Sequence, residues 1–233
     1  MPSSGIAAAS WDLKSRFLDG LAPPERQTIL ASATQRQFAA NAVATNQGNP
    51  ADHLFLLTKG CARHFYLTEE GKKLLLKWLG TGDLFGGLTI LSTPSHYLVS
   101  TELVTDSSAL VWDRTTIRRL VEHYPRLLEN ALLGASDFVA WHLASHISLA
   151  CYTARQRLAQ VLVTLARTVG QEAPGGVTLD ISNEELANAA NITPFTTSRL
   201  ISDWQRNRVL TKRRGKVLLR SPERLFSRLY DPG

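Results

Sequence analysis

The chain has 233 residues, of which 44% are hydrophobic and 20% charged, an ordinary globular composition that excludes a largely disordered polymer. That length favours two domains over one. The net charge of +6 is unevenly placed: residues 1–154 hold 13 basic and 13 acidic residues, residues 155–233 hold 13 basic and 7 acidic, so the whole excess lies in the last third.

Such asymmetry points to an acidic partner for that third, nucleic acid or a membrane surface, against the plainer reading of a solvated basic face. No apolar run approaches the roughly 18–20 residues of a membrane span. Met1 to Ser10 lack a basic stretch followed by an apolar one, so no secretory signal is expected. Cys61 and Cys151 can form one bridge but not a disulfide scaffold, a zinc ribbon or a four-thiolate cluster. A cytoplasmic protein with reduced thiols is the expectation.

In chain order, Leu13, Phe17, Leu18 and Leu21 recur at helical spacing and predict an amphipathic helix over 11–31, interrupted by Pro23-Pro24. Residues 42–112 then alternate short apolar runs with turn residues. Leu54–Leu57, Arg63–Leu67, Leu74–Leu79 and Tyr97–Val104 fit strands, and their regular spacing indicates an all-β sandwich or barrel. Residues 114–123 read as helix. From Pro125 a long helical pattern runs through Tyr152, in which Leu128, Leu132, Ala135, Val139, His142, His146 and Leu149 step by four and three. That is a heptad seam, suited to two helices packing along their length; the plainer reading is a helix lying on the β-domain. Leu158, Val161, Leu162 and Leu165 predict a further helix from Thr153 to Val169, ended by Gly170 and the Pro174-Gly175-Gly176 loop.

The basic third carries the sharpest local signals. Ser182-Asn183-Glu184-Glu185 is a capping box that starts a helix. Asn191 tolerates the left-handed conformation of a tight turn. Thr193-Pro194 starts a second helix, with Thr as cap and Pro in the first turn. Leu200, Ile201 and Trp204 face a core, while Phe195, Ser198, Arg199, Ser202 and Arg206 lie on other faces. This is a helix-turn-helix, whose second helix is the one expected in a major groove. Residues 209–219 follow as strand, basic turn (Lys212-Arg213-Arg214-Gly215-Lys216) and strand, a wing whose cations can touch phosphates. The alternative is a chance helical hairpin beside a chance β-hairpin in a basic protein.

From about residue 40 onward this order of parts resembles the Crp/Fnr family of bacterial transcription regulators. In the β-region the resemblance rests on Gly48…Asp52-His53-Leu54-Phe55-Leu56-Leu57…Gly60, Glu70-Gly71 and Gly80-Thr81-Gly82-Asp83-Leu84-Phe85-Gly86. Beyond it, Arg157-Leu158-Ala159-Gln160, Ile181-Ser182-Asn183-Glu184-Glu185-Leu186-Ala187 and Ser198-Arg199-Leu200 carry it. It implies an α+β protein: a cyclic-nucleotide-binding-type β jelly roll over 1–124, a dimerisation helix over 125–152 and a winged helix-turn-helix over 153–233. It further implies a homodimer that binds pseudo-palindromic double-stranded DNA and recruits RNA polymerase, as an activator does, under control of an effector, with no membrane partner. A rotation near Cys151–Thr153 would switch the spacing of the two recognition helices.

The DNA-facing residues implied are Asn183, Thr193, Phe195, Thr196, Ser198, Arg199, Ser202, Lys212, Arg213, Arg214 and Lys216. Arg199 matches the family's Ser-Arg pair and can take guanine O6 and N7 together; a phosphate contact is the alternative. Where the family usually carries Glu stands Phe195, which cannot accept a hydrogen bond and is suited to a thymine methyl. The effector pocket is expected at Gly82, Asp83, Leu84, Phe85, Tyr97, Leu98 and His142. Gly82-Asp83 is aligned with the Gly-Glu that holds the ribose of cyclic AMP, and Tyr97-Leu98 with the Arg-Ser that holds its phosphate. Without that Arg the phosphate lacks its charge-assisted partner, which argues against cyclic AMP. Two cysteines, with Cys61 placed in a strand, are too few for the family's iron–sulfur oxygen sensors.

His96, His142 and His146 are candidate haem ligands, the alternative for the last two being hydrogen-bonded seam residues. His96-Tyr97…Val104-Thr105-Asp106, Thr197-Ser198-Arg199-Leu200-Ile201-Ser202…Trp204 and Lys216–Phe226 look most like the nitric-oxide-responsive denitrification regulators. A constitutive, partner-controlled or Cys151-oxidised regulator with a vestigial pocket is the second reading. An enzyme is not expected, because His53, His64 and His96 form no His-x-His metal pair on the strands.

Overall fold

The computed structural model describes residues 13–213, 215–220 and 225. They fall into two compact units, 1–140 and 141–233.

In the first unit the helix expected over 11–31 is replaced by a single 3-10 turn, Arg16–Leu18, and a helix α1, Pro23–Ala31. The two prolines do not interrupt this helix; they begin it. There the missing N–H groups have no intrahelical acceptor to lose and the fixed φ suits the first turn. Eight strands follow: β1 Thr34–Phe38, β2 Val43–Thr45, β3 His53–Lys59, β4 Ala62–Leu67, β5 Lys73–Leu79, β6 Leu84–Phe85, β7 Ser100–Leu103 and β8 Ser107–Asp113. They form two four-stranded sheets, β1-β8-β3-β6 and β2-β7-β4-β5, antiparallel throughout, which is the jelly-roll order. The strand expected over Tyr97–Val104 is shorter than its apolar run: Tyr97 to Val99 belong to the preceding turn. Cys61 sits in the connection before β4, not in a strand.

Period-two alternation gives the central strands of the first sheet, β3 and β8, two buried faces. Leu54, Leu56, Leu110 and Trp112 pack under helices, with Ile29 and Leu30 of α1, Ile117 and Leu120 of α2 (Arg114–His123) and Leu127 of the next helix. Their odd-numbered neighbours Phe55, Leu57, Ala109 and Val111 face the second sheet and meet Ala62, Leu79 and Leu103 there. Trp112 also donates its indole N–H to the Ile29 carbonyl at 3.0 Å, which pins α1 to the sheet.

The long helix α3 spans Arg126–Cys151, as the uninterrupted pattern predicts. Its first turns are held by the first unit: Asn130, buried, donates to the carbonyls of Phe17 (3.0 Å) and Asp19 (2.8 Å), and Asp137 pairs with Arg16. The seam residues point away from these contacts. Leu132 and Val139 are 67% and 66% exposed, and Leu128 and Leu149 are also exposed.

In the second unit α4, Ala154–Thr168, starts at a Thr153–Gln156 capping box. The segment after Gly170 forms a β-hairpin, β9 Gln171–Ala173 and β10 Gly176–Asp180, and the expected Pro174-Gly175-Gly176 loop lies at its turn. Then come α5 Asn183–Ala190, α6 Pro194–Arg206, β11 Leu210–Arg213 and β12 Lys216–Leu219. The sheet order is β11-β12-β10-β9, so the wing hairpin adds to the first hairpin through β12. Leu158, Leu162, Leu186, Leu200, Ile201, Trp204 and Val217 are buried.

Candidate functional site

The start of each helix in the helix-turn-helix is fixed by its own side chains. Ser182 accepts from the Glu185 amide at 3.2 Å while Glu185 accepts from the Ser182 amide at 2.9 Å, the reciprocal arrangement of a capping box. Asn191 closes α5 in the left-handed region, φ 48°. Thr193 caps α6 by accepting from the Thr196 amide at 3.1 Å, and its hydroxyl also meets that of Thr196 at 2.9 Å.

A residue whose structural role the sequence did not reveal holds the turn closed. Arg157 of α4 donates from Nε to the Ala190 carbonyl (2.9 Å), from Nη2 to that of Asn191 (3.2 Å) and from Nη1 to that of Tyr152 (2.8 Å). The last carbonyls of a helix have no intrahelical partner. One guanidinium therefore satisfies the end of α5, the turn and the end of the preceding segment together.

With Thr197, Leu200, Ile201 and Trp204 buried, α6 presents Phe195, Ser198, Arg199, Ser202 and Arg206 outward. Those positions recur at three- and four-residue steps and so share one stripe. Asp203 lies off that stripe and takes Arg155 at 2.8 Å and Arg206 at 3.6 Å. Arg199 is exposed. Beside the stripe, Lys212 of β11 pairs with Asn183, whose amide reaches the Ser198 hydroxyl at 3.5 Å. Wing, α5 and α6 are thereby linked through polar groups. Burial pushes the Lys212 ammonium below its ordinary value. Arg213 and Lys216 are exposed at the wing; Arg214 lies outside the described residues.

Several of the expected effector residues have bonding partners within the β-domain itself. The Asp83 carboxylate accepts from the Gly80 amide at 2.7 Å, and the Gly82 carbonyl accepts from Ser15 at 2.7 Å. Both residues serve the turn and the N-terminal segment. Tyr97 instead lies beside the following turn, where Gly86, left-handed at φ 79°, opens a short 3-10 helix, Gly87–Ile90. A Cβ on Gly86 would stand 2.5 Å from the His53 carbonyl and 3.4 Å from the Tyr97 ring. The Tyr97 hydroxyl accepts from the His53 amide at 3.0 Å and donates to the His53 carbonyl at 2.9 Å. Burial raises the Tyr97 phenol above its ordinary value, against the lowering effect of the His53 hydrogen bonds. The position aligned with a phosphate-binding Arg thus carries a phenol spent on the β3 backbone. Leu84 is half-buried, Phe85 is buried and stacked on Phe55 at 4.6 Å, and Leu98 is 69% exposed.

Of the histidines, His96 is exposed in a bridge to Pro50, His142 stands edge-on to Trp141, and His146 is exposed. Among the described residues no group of three or more His, Cys, Asp or Glu is arranged to hold a metal ion. The histidine inside the β-domain is His64, which the sequence did not single out for the effector. Its ring is edge-on to Phe85 of β6 and Phe138 of α3, and Nδ1 lies 3.1 Å from the Thr101 hydroxyl, itself joined to Thr45 at 2.9 Å.

Comparison with known proteins agrees with both halves. Residues 35–124 match the cyclic nucleotide-binding domain, and residues 156–228 match the Crp-like helix-turn-helix domain. The chain belongs to the Crp/Fnr family of transcription regulators. Among the regulator's relatives is the CRP-like cAMP-activated global transcriptional regulator of Mycobacterium tuberculosis, 25% identical over 92% of this chain and 96% of that one. The anaerobic regulatory protein of Bacillus subtilis is 23% identical over 80% of each. In structure, FixK2 from Bradyrhizobium japonicum superposes with a TM-score of 0.73 at 20% identity, covering 86% of this chain and 98% of that one. At that identity the likeness bears on the fold alone. Both relatives are named as regulators, and the chain is a DNA-binding transcription regulator of the Crp/Fnr type. No helix among its described residues is long and apolar enough to cross a membrane.

Proposed function

We propose that the regulator works as a homodimer that presents two α6 helices to successive major grooves of a pseudo-palindromic site. The observation that carries this reading is the outward stripe of α6, with Arg199 exposed between two serines beside the cations of the wing. Arg199 makes the bidentate contact to guanine, and Arg213 and Lys216 contact phosphates. The exposed apolar seam of α3 supports the dimer, since Leu128, Leu132, Val139 and Leu149 lie in water on a single chain. Recruitment of RNA polymerase follows from the family resemblance. The test is a titration of specific and random duplexes at several salt concentrations. Arg199→Ala should lose discrimination, whereas Lys216→Ala should weaken both duplexes and flatten the salt slope by about one unit. Equal loss on both duplexes for Arg199→Ala would overturn the base-reading role.

The effector is a ligand other than cyclic AMP, because Tyr97 uses its hydroxyl on His53 and offers no cation to a phosphate. The finer reading is the nitric-oxide-responsive branch, in which His96, His142 or His146 would hold a haem whose iron would supply the affinity for nitric oxide. A Soret band in the purified or reconstituted protein, shifted by His96→Ala or His142→Ala, would support it; its absence would exclude those ligands. The same commitment of Tyr97 favours a second reading, a vestigial pocket with control by a partner or by oxidation of the exposed Cys151. Unchanged DNA affinity with nitric oxide, haem and cyclic nucleotides would select it.

A further inference from the structure

Phe195 is a large apolar side chain at a place where the chain could have carried any polar one. It is the second residue of α6 and is 78% exposed, more than any other large apolar residue among those described. Leaving such a ring in water forgoes the free energy of burying it. A lone exposed apolar residue is common on protein surfaces, so its position decides the matter. Phe195 precedes Ser198 by three residues and Arg199 by four, which puts it on the same exposed stripe. Helical side chains lean toward the N-terminus, so this ring reaches beyond the start of the helix. The polar neighbour at that end is occupied: the Thr196 hydroxyl is engaged by Thr193 at 2.9 Å. The ring is therefore the group that the first turn of α6 offers outward. The +6 excess of residues 155–233 makes a polyanion the complementary surface.

The chemistry of that surface narrows what the ring can read. Most of what a major groove displays is hydrogen-bond donors and acceptors. Its apolar feature is the methyl group on C5 of thymine. A phenyl ring has neither donor nor acceptor for an amino or keto group, but it packs against a methyl. We propose that Phe195 reads the C5-methyl group of one pyrimidine in each half-site. The regulator then treats thymine and 5-methylcytosine alike at that position, and discriminates against uracil and unmethylated cytosine. This deepens the proposed DNA recognition and rests on it.

The test uses the full-length protein. A binding site is selected from a randomised duplex pool, and each thymine of the half-site is replaced in turn by uracil, which removes the methyl and nothing else. Separately, 5-methylcytosine·guanine is compared with cytosine·guanine at the same positions. One thymine per half-site should respond, with affinity falling about fourfold for one buried methyl. At that position 5-methylcytosine should bind better than cytosine by a similar factor. In Phe195→Ala both differences should vanish while binding to random duplex persists, which also shows that the variant is folded. The proposal is overturned if no thymine responds to uracil, or if the response survives in Phe195→Ala. A wild-type protein that selects no site at all would sink the parent reading and this one together; a selected site indifferent to the methyl sinks this one alone.

Discussion

Replacing Arg157 with alanine tests how the helix-turn-helix is held together. The side chain supplies three hydrogen bonds to carbonyls, at 2.9, 2.8 and 3.2 Å. The first two are part-buried, and the third, to Asn191, is exposed to solvent. Hydrogen bonds from a charged donor contribute about 1.5–3 kcal/mol each when shielded, and less where water can substitute. Two shielded bonds at the low end, with the exposed one discounted, give about 3 kcal/mol, and partial screening of part-buried carbonyls brings this to about 2–3 kcal/mol. Water can reach the vacated carbonyls in part, which is the reason for choosing the low end. The loss should fall on the second unit and spare the jelly roll, because every acceptor lies between Tyr152 and Asn191. Hydrogen exchange resolved by peptide measures this directly. Amides in α5 and α6 should exchange about 30- to 150-fold faster in Arg157→Ala, taking 1.36 kcal/mol per decade. Amides of β3 and β8 should be unchanged and serve as the internal control. Arg157→Lys, with one cationic nitrogen, should restore part of the protection. Protection of α5 within a factor of three of wild type would refute the view that this guanidinium closes the turn.

Three other substitutions probe the first unit and the seam. Gly86→Ala should lower the urea midpoint by the equivalent of 2 kcal/mol or more, roughly the cost of a left-handed non-glycine residue plus a clash, since its Cβ would meet the His53 carbonyl at 2.5 Å; a change below about 0.5 kcal/mol would show that the turn relaxes freely. Burial alone would raise the Glu102 carboxyl, but hydrogen bonds from Lys73 and Arg63, both 2.7 Å, outweigh it and leave the group below its ordinary value. A depressed carboxyl stabilises the fold above its unfolded value of 4.5 and loses that contribution as pH falls through the folded value. Urea midpoints should therefore drop between pH 6 and pH 3 more steeply in wild type than in Glu102→Gln, and parallel curves would contradict this. Leu132→Glu combined with Val139→Glu should convert a dimer to a monomer in sedimentation equilibrium without lowering helix content; an unaltered mass would remove α3 as the dimer seam.

Features fixed by a few neighbouring residues were readable in the sequence. The caps at Ser182 and Thr193 each join residues three apart, and the left-handed Asn191 follows from one residue type at one helix end. The long helix needed no more than its period. What escaped was either unpatterned or distant. Strand β1, Thr-Gln-Arg-Gln-Phe, is mostly exposed and carries no alternation to detect. Arg157 meets carbonyls more than thirty residues away, and no local spacing points to them. His64 looks like an isolated strand histidine until β7 brings Thr101 and α3 brings Phe138 against it. The bonds made by the expected effector residues are not legible in the sequence for a related reason. Asp83 and Tyr97 align with ligand-holding positions, and in this chain Asp83 accepts from the Gly80 amide and Tyr97 donates to the His53 carbonyl. Alignment reports which residue stands at a place and not what that residue is bonded to.

The strands β3 and β8, buried on both faces, divide the pressures of evolution by the parity of residue number. In β3, positions 54 and 56 answer to the helices, and positions 55 and 57 to the opposite sheet. A substitution at Leu56 must be compensated in α1, α2 or β8, and one at Phe55 by its stacked neighbour Phe85 on β6 or across the sandwich at Ala62, Leu79 or Leu103. The two sets of neighbours share a backbone but no side-chain contacts within the strand, so each can drift while the other is held. A lineage could thus rebuild the helical layer that leads into α3 while keeping its sandwich interior, or refit that interior to a new ligand while keeping the helices. A one-residue insertion in β3 would exchange the two sets and disrupt both at once.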